Sequence, residues 1–195
     1  MIPDPDKLAD KQLVHRALSG DAQAFGIIIG NTEKLVAQIV CRMVSNVEDR
    51  KDLAQEIYLK AYRSLGLFKH GSKLSTWIAQ ISYNACMDYL RRKKLFYPGE
   101  PVDGPGQTTA DGQMYRKELA GILQAGMEKL QPVYRTMLTL YHQEELSYGE
   151  IGEITGMPEG TVKNYLFRAR KALKERLSWY YGEKEMKPRG DDGDG

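Results

Sequence analysis

Between Leu146 and Leu177 the chain reads helix, tight turn, helix, and this stretch constrains the fold more than any other. Ser147 and Glu150 have the spacing of a capping box, Leu146 before the cap is placed to staple onto Ile151, and Gly156 supplies the left-handed residue that ends a short helix. Pro158 then opens a second helix. On it Val162, Leu166, Ala169 and Leu173 recur at spacings of four, three and four, so one apolar stripe faces inward. The opposite face is basic: six Lys or Arg (163, 168, 170, 171, 174 and 176) stand against Glu159 and Glu175, an excess of four positive charges. A solvated amphipathic helix would show the same face. The capped short helix and glycine turn in front of it instead suit a helix lying along phosphates, with Lys163 and Asn164 near its start free to reach base edges in a major groove.

At 195 residues the chain has room for one large or two small domains. The net charge of +2 hides segregation, because an acidic tail (Asp191, Asp192, Asp194) offsets the basic helix and a second basic cluster from Arg91 to Lys94. Two basic patches in a nearly neutral chain point to nucleic acid more than the total does. Cys41 and Cys86 lack CxxC spacing and sit in apolar helical patterns, which predicts buried thiols in a reducing compartment and no metal site. The first residues have no apolar core for a signal peptide, and no unbroken apolar run reaches the length of a bilayer. The expected location is cytoplasmic, without membrane insertion.

From Asp10 to Ser45 apolar positions at helical spacing, interrupted by Gly20 and Gly30, predict two or three packed helices. Asn46 is placed to cap a longer helix with Leu53, Ala54, Ile57, Tyr58, Ala61, Tyr62 and Leu65 on its inner face. Its outer face holds Glu48, Asp52 and Glu56 at steps of four, with Gln55 beside them. Like charges four apart cost a helix about 0.2 to 0.5 kcal/mol per pair. Two readings stand: local compensation by Lys51 and Lys60, or an acidic face that docks on a basic partner.

The loop from Gly66 to Lys73 mixes glycine, Phe68, Lys69, His70, Ser72 and Lys73. A ring to stack a base and cations for phosphate suit a single-strand pocket, although many ordinary loops have this composition. A helix from Ser72 or Ser75 to Lys94 follows, with Leu74, Ile78, Ile81, Ala85 and Tyr89 as core stripe. Trp77, Gln80, Asn84 and Arg91 share another face, where Trp77 is either core or a base-stacking wedge. The cations at the end of this helix complement its dipole and would also meet a phosphate backbone.

Residues 98–112 are too rich in proline and glycine to pack and read as a flexible linker. Beyond it Leu119, Ile122, Leu123, Met127 and Leu130 mark one helix, and Pro132 starts the next, so about four helices are expected to the end of the opening motif. The chain therefore divides into domains at 10–97 and 113–182, with a disordered tail at 183–195. No strand pattern appears, so the expected fold is all-α, with two small helical domains. His15, His70 and His142 lie far apart, there is no GxSxG, and no phosphate-binding glycine loop follows a strand, so no cofactor and no catalytic residue are assigned.

Taken together these segments resemble the extracytoplasmic-function (ECF) sigma factors, compact bacterial members of the sigma-70 family, from about Leu13 to Leu177. The stretch from Glu48 to Arg63 is similar to the family's core-polymerase-binding helix, which singles out Asp52, Gln55 and Glu56. Ser75-Thr-Trp-Ile and Asn84 through Lys94 are similar to its promoter-melting segment, which with the loop singles out Phe68, Lys69, His70, Ser72, Lys73, Trp77, Asn84, Arg91 and Arg92 for the downstream promoter element. The closing motif is similar to the second DNA-reading domain, with Glu159, Thr161, Lys163, Asn164, Arg168 and Lys171 for the upstream element. Three such segments in order around a linker are far more specific than any one. Two positions depart from the pattern: Asn164-Tyr165 where Ser-Arg is common, and Tyr83 where a basic residue is frequent.

The resemblance implies a transcription initiation factor that is not an enzyme. It would bind core RNA polymerase, place its two domains on the two elements of promoter DNA, and open the duplex; an anti-sigma factor is a further partner that the family admits. Such a protein is monomeric or held by another protein. A stand-alone helix-turn-helix regulator would form a homodimer, and would leave the N-terminal half and its acidic ridge without a task.

Overall fold

The computed structural model describes residues 5–93 and 114–185. These form eight helices and one 3-10 turn, with no strand among the described residues. The first four are α1 (Pro5–Leu18), α2 (Ala22–Met43), α3 (Val47–Ser64) and α4 (Leu74–Arg92), with the 3-10 turn at Leu65–Leu67. The last four are α5 (Met114–Glu128), α6 (Pro132–His142), α7 (Tyr148–Thr155) and α8 (Glu159–Glu185). The expected linker at 98–112 and tail residues 186–195 lie outside the described residues.

Glycine and capping explain most boundaries. Gly20, at φ +91°, separates α1 from α2. Asp21 caps α2 by accepting from the amides of Gln23 and Ala24, and the Arg16 guanidinium at 2.7 Å holds its carboxyl below the usual carboxylate range. The expected break at Gly30 does not occur. One glycine costs a helix about 1 kcal/mol, and the buried stripe of Ile28, Thr32, Val36 and Ile39 runs through it. Asn46 caps α3 as expected, accepting from the amides of Glu48 and Asp49. Neither Ser72 nor Ser75 caps α4: the amide of Leu74 donates to Asp10 Oδ2 at 2.7 Å, so α1 supplies that cap from 64 residues away. Accordingly α1 begins at Pro5, before the expected domain start.

Three further placements differ from the sequence reading. Cys41 is exposed, because it lies about 100° round α2 from buried Val40, while Cys86 is buried and its thiol is pushed up to about 12 by desolvation. Tyr62 is 52% exposed on α3 and only edge-packed on Phe25, with ring centroids 4.9 Å apart. The last helix runs to Glu185, past the expected boundary at 182, since Glu183, Lys184 and Glu185 are all good helix formers.

The C-terminal motif forms as written. Pro132 stands at the start of α6, Ser147 and Glu150 close both halves of a capping box on α7, and Gly156 adopts φ +71° in the left-handed region. Met157 and Pro158 then turn the chain into α8, where Val162, Leu166 and Ala169 are buried.

The two four-helix units pack on one another through one continuous core: α6 lies on α2, and α7 lies on α4. By length and composition alone α2 is apolar enough to cross a membrane, which the sequence reading missed. Its apolar side, from Ala24 to Met43, belongs instead to this core.

Thermal unfolding checks the turn. Ser147→Ala should cost about 1 kcal/mol. Gly156→Ala should cost roughly 1 to 2 kcal/mol, and Gly156→Asn less, because asparagine tolerates the left-handed conformation. Equal losses for Ala and Asn would show that space, not φ, selects glycine.

Candidate nucleic-acid interface

The expected upstream residues share the outer side of α8. Glu159, Lys163, Asn164, Arg168 and Lys171 are exposed and Thr161 is half-buried. Asn164, Arg168 and Lys171 follow one another at steps of four and three, forming a line. Phe167 stands beside that line with 67% of its surface exposed. The sequence reading missed it, although an aromatic outside the Val162-Leu166-Ala169 stripe was signal enough. Tyr165, one of the two departures, is half-buried and meets Tyr134 edge-on, with centroids 5.9 Å apart.

Two tyrosines, also missed, flank this helix. The rings of Tyr141 and Tyr148 stack at 5.1 Å, and each carries a cation from α8: Arg170 lies 5.0 Å from the Tyr141 centroid and Lys163 lies 5.3 Å from that of Tyr148. Arg170 Nε also donates to His142 Nε2 at 3.3 Å.

The downstream residues divide. Lys69, Lys73, Asn84, Arg91 and Arg92 are exposed, while Ser72 and Trp77 are half-buried. Phe68, expected to offer a ring to a base, is 7% exposed. It packs against Trp77 at 5.3 Å and His70 at 4.6 Å, because apolar surface beside the core outcompetes a solvent-facing position. His70 holds φ +57°, and its buried Nδ1 has no partner among the described residues. The basic cluster is partly compensated: Arg91 pairs with Asp88 at 3.1 Å, and Lys93 lies 3.7 Å from Asp49, which also accepts from Tyr89 Oη at 2.6 Å. Lys94 lies outside the described residues.

This side of α4 faces the C-terminal unit. Gln80 Nε2 donates to the Glu153 carbonyl at 3.0 Å, Lys73 Nζ lies 3.9 Å from Glu150, and an open cleft of about 260 Å³ is lined by Ser72, Thr76, Trp77, Gln80 and Glu153. Tyr83, the other departure, is buried; desolvation first and then the nearby Tyr165 push its hydroxyl up to about 12.

On α3, Glu48 pairs with Lys51 at 3.7 Å and Glu56 with Lys60 at 2.7 Å, which holds the Glu56 carboxyl below its usual range. Asp52 has no ion pair among the described residues, and Gln55 is exposed beside it. Exposed Leu59 and Tyr62 continue the same face, so the ridge is acidic at one end and apolar at the other. Among the described residues no cluster of metal-ligating side chains occurs.

A capped helix-turn-helix on an all-helical, two-unit scaffold defines a DNA-binding protein. Residues 28–96 match the family described as Sigma-70 region 2, and residues 120–173 match Sigma-70, region 4. The chain is 35% identical over 179 residues to the ECF RNA polymerase sigma factor SigW of Bacillus subtilis, covering 86% of this chain and 96% of that protein. It is 32% identical over 184 residues to the ECF RNA polymerase sigma-E factor of Escherichia coli, covering 88% of this chain and 96% of that protein. In fold it is similar to CnrH, solved in complex with the cytosolic domain of CnrY, with a TM-score of 0.63 and 23% identity over 87% of this chain and 97% of that one. The chain belongs to the ECF RNA polymerase sigma factors of the sigma-70 family. It is a transcription initiation factor, and the match through region 2 accounts for the N-terminal half that a stand-alone regulator would leave idle.

Protonation of His142 tests the α6 to α8 contact. Burial first, and then Arg170, hold its pKa below the usual 6.5. A group depressed in this way contributes stability that is full above pH 6.5 and lost as pH falls through the folded value. The thermal midpoint should therefore drop further between pH 7.5 and 5.5 for the wild type than for His142→Gln; equal drops would exclude the contact as the cause.

Proposed function

We propose that the chain acts without chemistry of its own, in the cytoplasm, by bridging core RNA polymerase and promoter DNA. The ridge of Asp52, Gln55 and Glu56, extended by Leu59 and Tyr62, docks on a basic surface of polymerase that has an apolar border. Lys163, Asn164, Arg168 and Lys171 read the upstream element. Lys69, Lys73, Trp77, Asn84, Arg91 and Arg92 hold the downstream element, with Phe68, His70 and Ser72 shaping the loop between them. The observation that carries this reading is the exposure of Asp52, without an ion pair among the described residues, in line with exposed Leu59 and Tyr62, while the other acids of α3, Glu48, Asp49 and Glu56, are each paired with a lysine.

Asp52→Lys with Glu56→Lys should abolish co-purification with core polymerase, since each change replaces an attraction by a like-charge contact. Transcripts from core polymerase supplied with the wild-type chain and a randomised promoter library should share an upstream element, and the double variant should yield none. Undiminished co-purification would make the ridge a solvated face.

The two units must also part, because Lys73 is engaged by α7 and Trp77 lines the cleft against it in the closed arrangement. An anti-sigma factor is proposed as the partner that keeps them together. With Cys41→Ser as background, Gln80→Cys and Glu153→Cys joined by a short reductant-cleavable thiol linker should block open-complex formation, and reductant should restore it. Promoter opening by the linked protein, read by permanganate reactivity of thymines, would overturn this requirement.

A further inference from the structure

The stacked pair Tyr141 and Tyr148 sits where two helices of the C-terminal unit meet α8. Tyr148 is the first residue of α7 and Tyr141 lies in the last turn of α6. Their rings are 9° from parallel and their hydroxyls are 3.5 Å apart. Both are half-buried, whereas Lys163 and Arg170 are exposed. Those two cations are seven residues apart, which is two turns and roughly 10.5 Å along the helix. Each lies over one ring of the stack, and Arg170 is held a second time by the imidazole of His142, itself edge-on to Tyr141 at 4.9 Å.

Long cationic side chains on a helix surface ordinarily sample many rotamers, and freezing them on a phosphate opposes binding. A ring face attracts the cation without consuming its N–H donors, so a cation over a ring is already ordered and still able to bond a phosphate oxygen. We infer that Tyr141 and Tyr148 are positioning residues for upstream DNA: a two-ring platform that holds Arg170 and Lys163 two turns apart, ready for the phosphate backbone. This rests on the reading that α8 lies along duplex DNA. It adds Arg170 to the phosphate-facing residues and explains why aromatic rings, rather than aliphatic side chains, fill the junction.

The experiment uses the full chain bound to core polymerase and a duplex promoter recovered from the randomised upstream element, with affinity read by fluorescence anisotropy. A cation over an exposed ring corresponds to a change in binding of roughly two- to fivefold. Tyr148→Leu should therefore weaken binding by about that factor, while Tyr148→Phe, which keeps the ring, should bind like the wild type. In a Lys163→Ala background Tyr148→Leu should add nothing further, because the cation it positions is gone. The cycle of Tyr141→Leu with Arg170→Ala should behave in the same way, and serves alone if Tyr148→Leu fails to fold. If Tyr148→Leu multiplies the loss equally in both backgrounds, or Phe fails as Leu does, the tyrosines are packing only and the platform is overturned. A wild-type complex with no preference for the recovered element would instead overturn the reading of α8.

Discussion

Burial of α4 on nearly every side is the constraint on which the rest of the molecule depends. Eleven of its nineteen residues are buried, which one amphipathic stripe cannot account for. The helix is covered by α2 and α3 on one side and by α7 on another. Leu74, Ile78, Ala85 and Tyr89 are buried, and Tyr89 donates to Asp49 of α3, while half-buried Trp77 and Gln80 face the C-terminal unit. Asp10 on α1 fixes where the helix begins, and Lys7 on the same helix donates to the Gly71 carbonyl at 3.1 Å, so α1 also anchors the preceding loop. The residues proposed for the downstream element thus hang from a rigid element held at its N-terminus by a segment remote in sequence.

What the sequence made legible was local. The capping box, the left-handed Gly156, the proline start of α6 and the Asn46 cap are all specified by residues within three or four positions of one another. What it hid was long-range direction. Composition placed Phe68 in a loop but could not say that its ring turns inward onto Trp77. Spacing put Tyr62 on the inner face of α3, yet it is 52% exposed and meets only the edge of Phe25 on α2. The cap from Asp10 joins residues 64 apart and has no sequence signature. The Tyr141 and Tyr148 stack is likewise a tertiary event, since it requires α6 and α7 to meet at one angle.

Electrostatics at the seam between the units works in both directions. Lys34 pairs with Glu144 at 3.3 Å, and Arg42 reaches Gln124 at 3.3 Å and Gln143 at 3.5 Å, so α2 holds the second unit by polar contacts as well. Yet Arg42 and Arg50 of the first unit both act on Arg135 of the second, whose pKa is lowered by burial and then by these like charges, with Glu128 in partial compensation. Burying a cation near two others is unfavourable unless something offsets it. The seam therefore joins continuous apolar burial to ion pairs and hydrogen bonds, with one cluster of like charge around Arg135.

Tyr83 and Tyr165 bear on the same seam. Tyr83 lies on α4 and Tyr165 on α8, and after burial the nearby Tyr165 is the second cause that raises the Tyr83 hydroxyl. Two cations at these places would repel across the seam; two neutral phenols do not. Tyr83 is 3% exposed, so its ring adds apolar burial to the closed arrangement. The ring of Tyr83 therefore serves packing, since a side chain 3% exposed offers nothing to a phosphate while the units are closed.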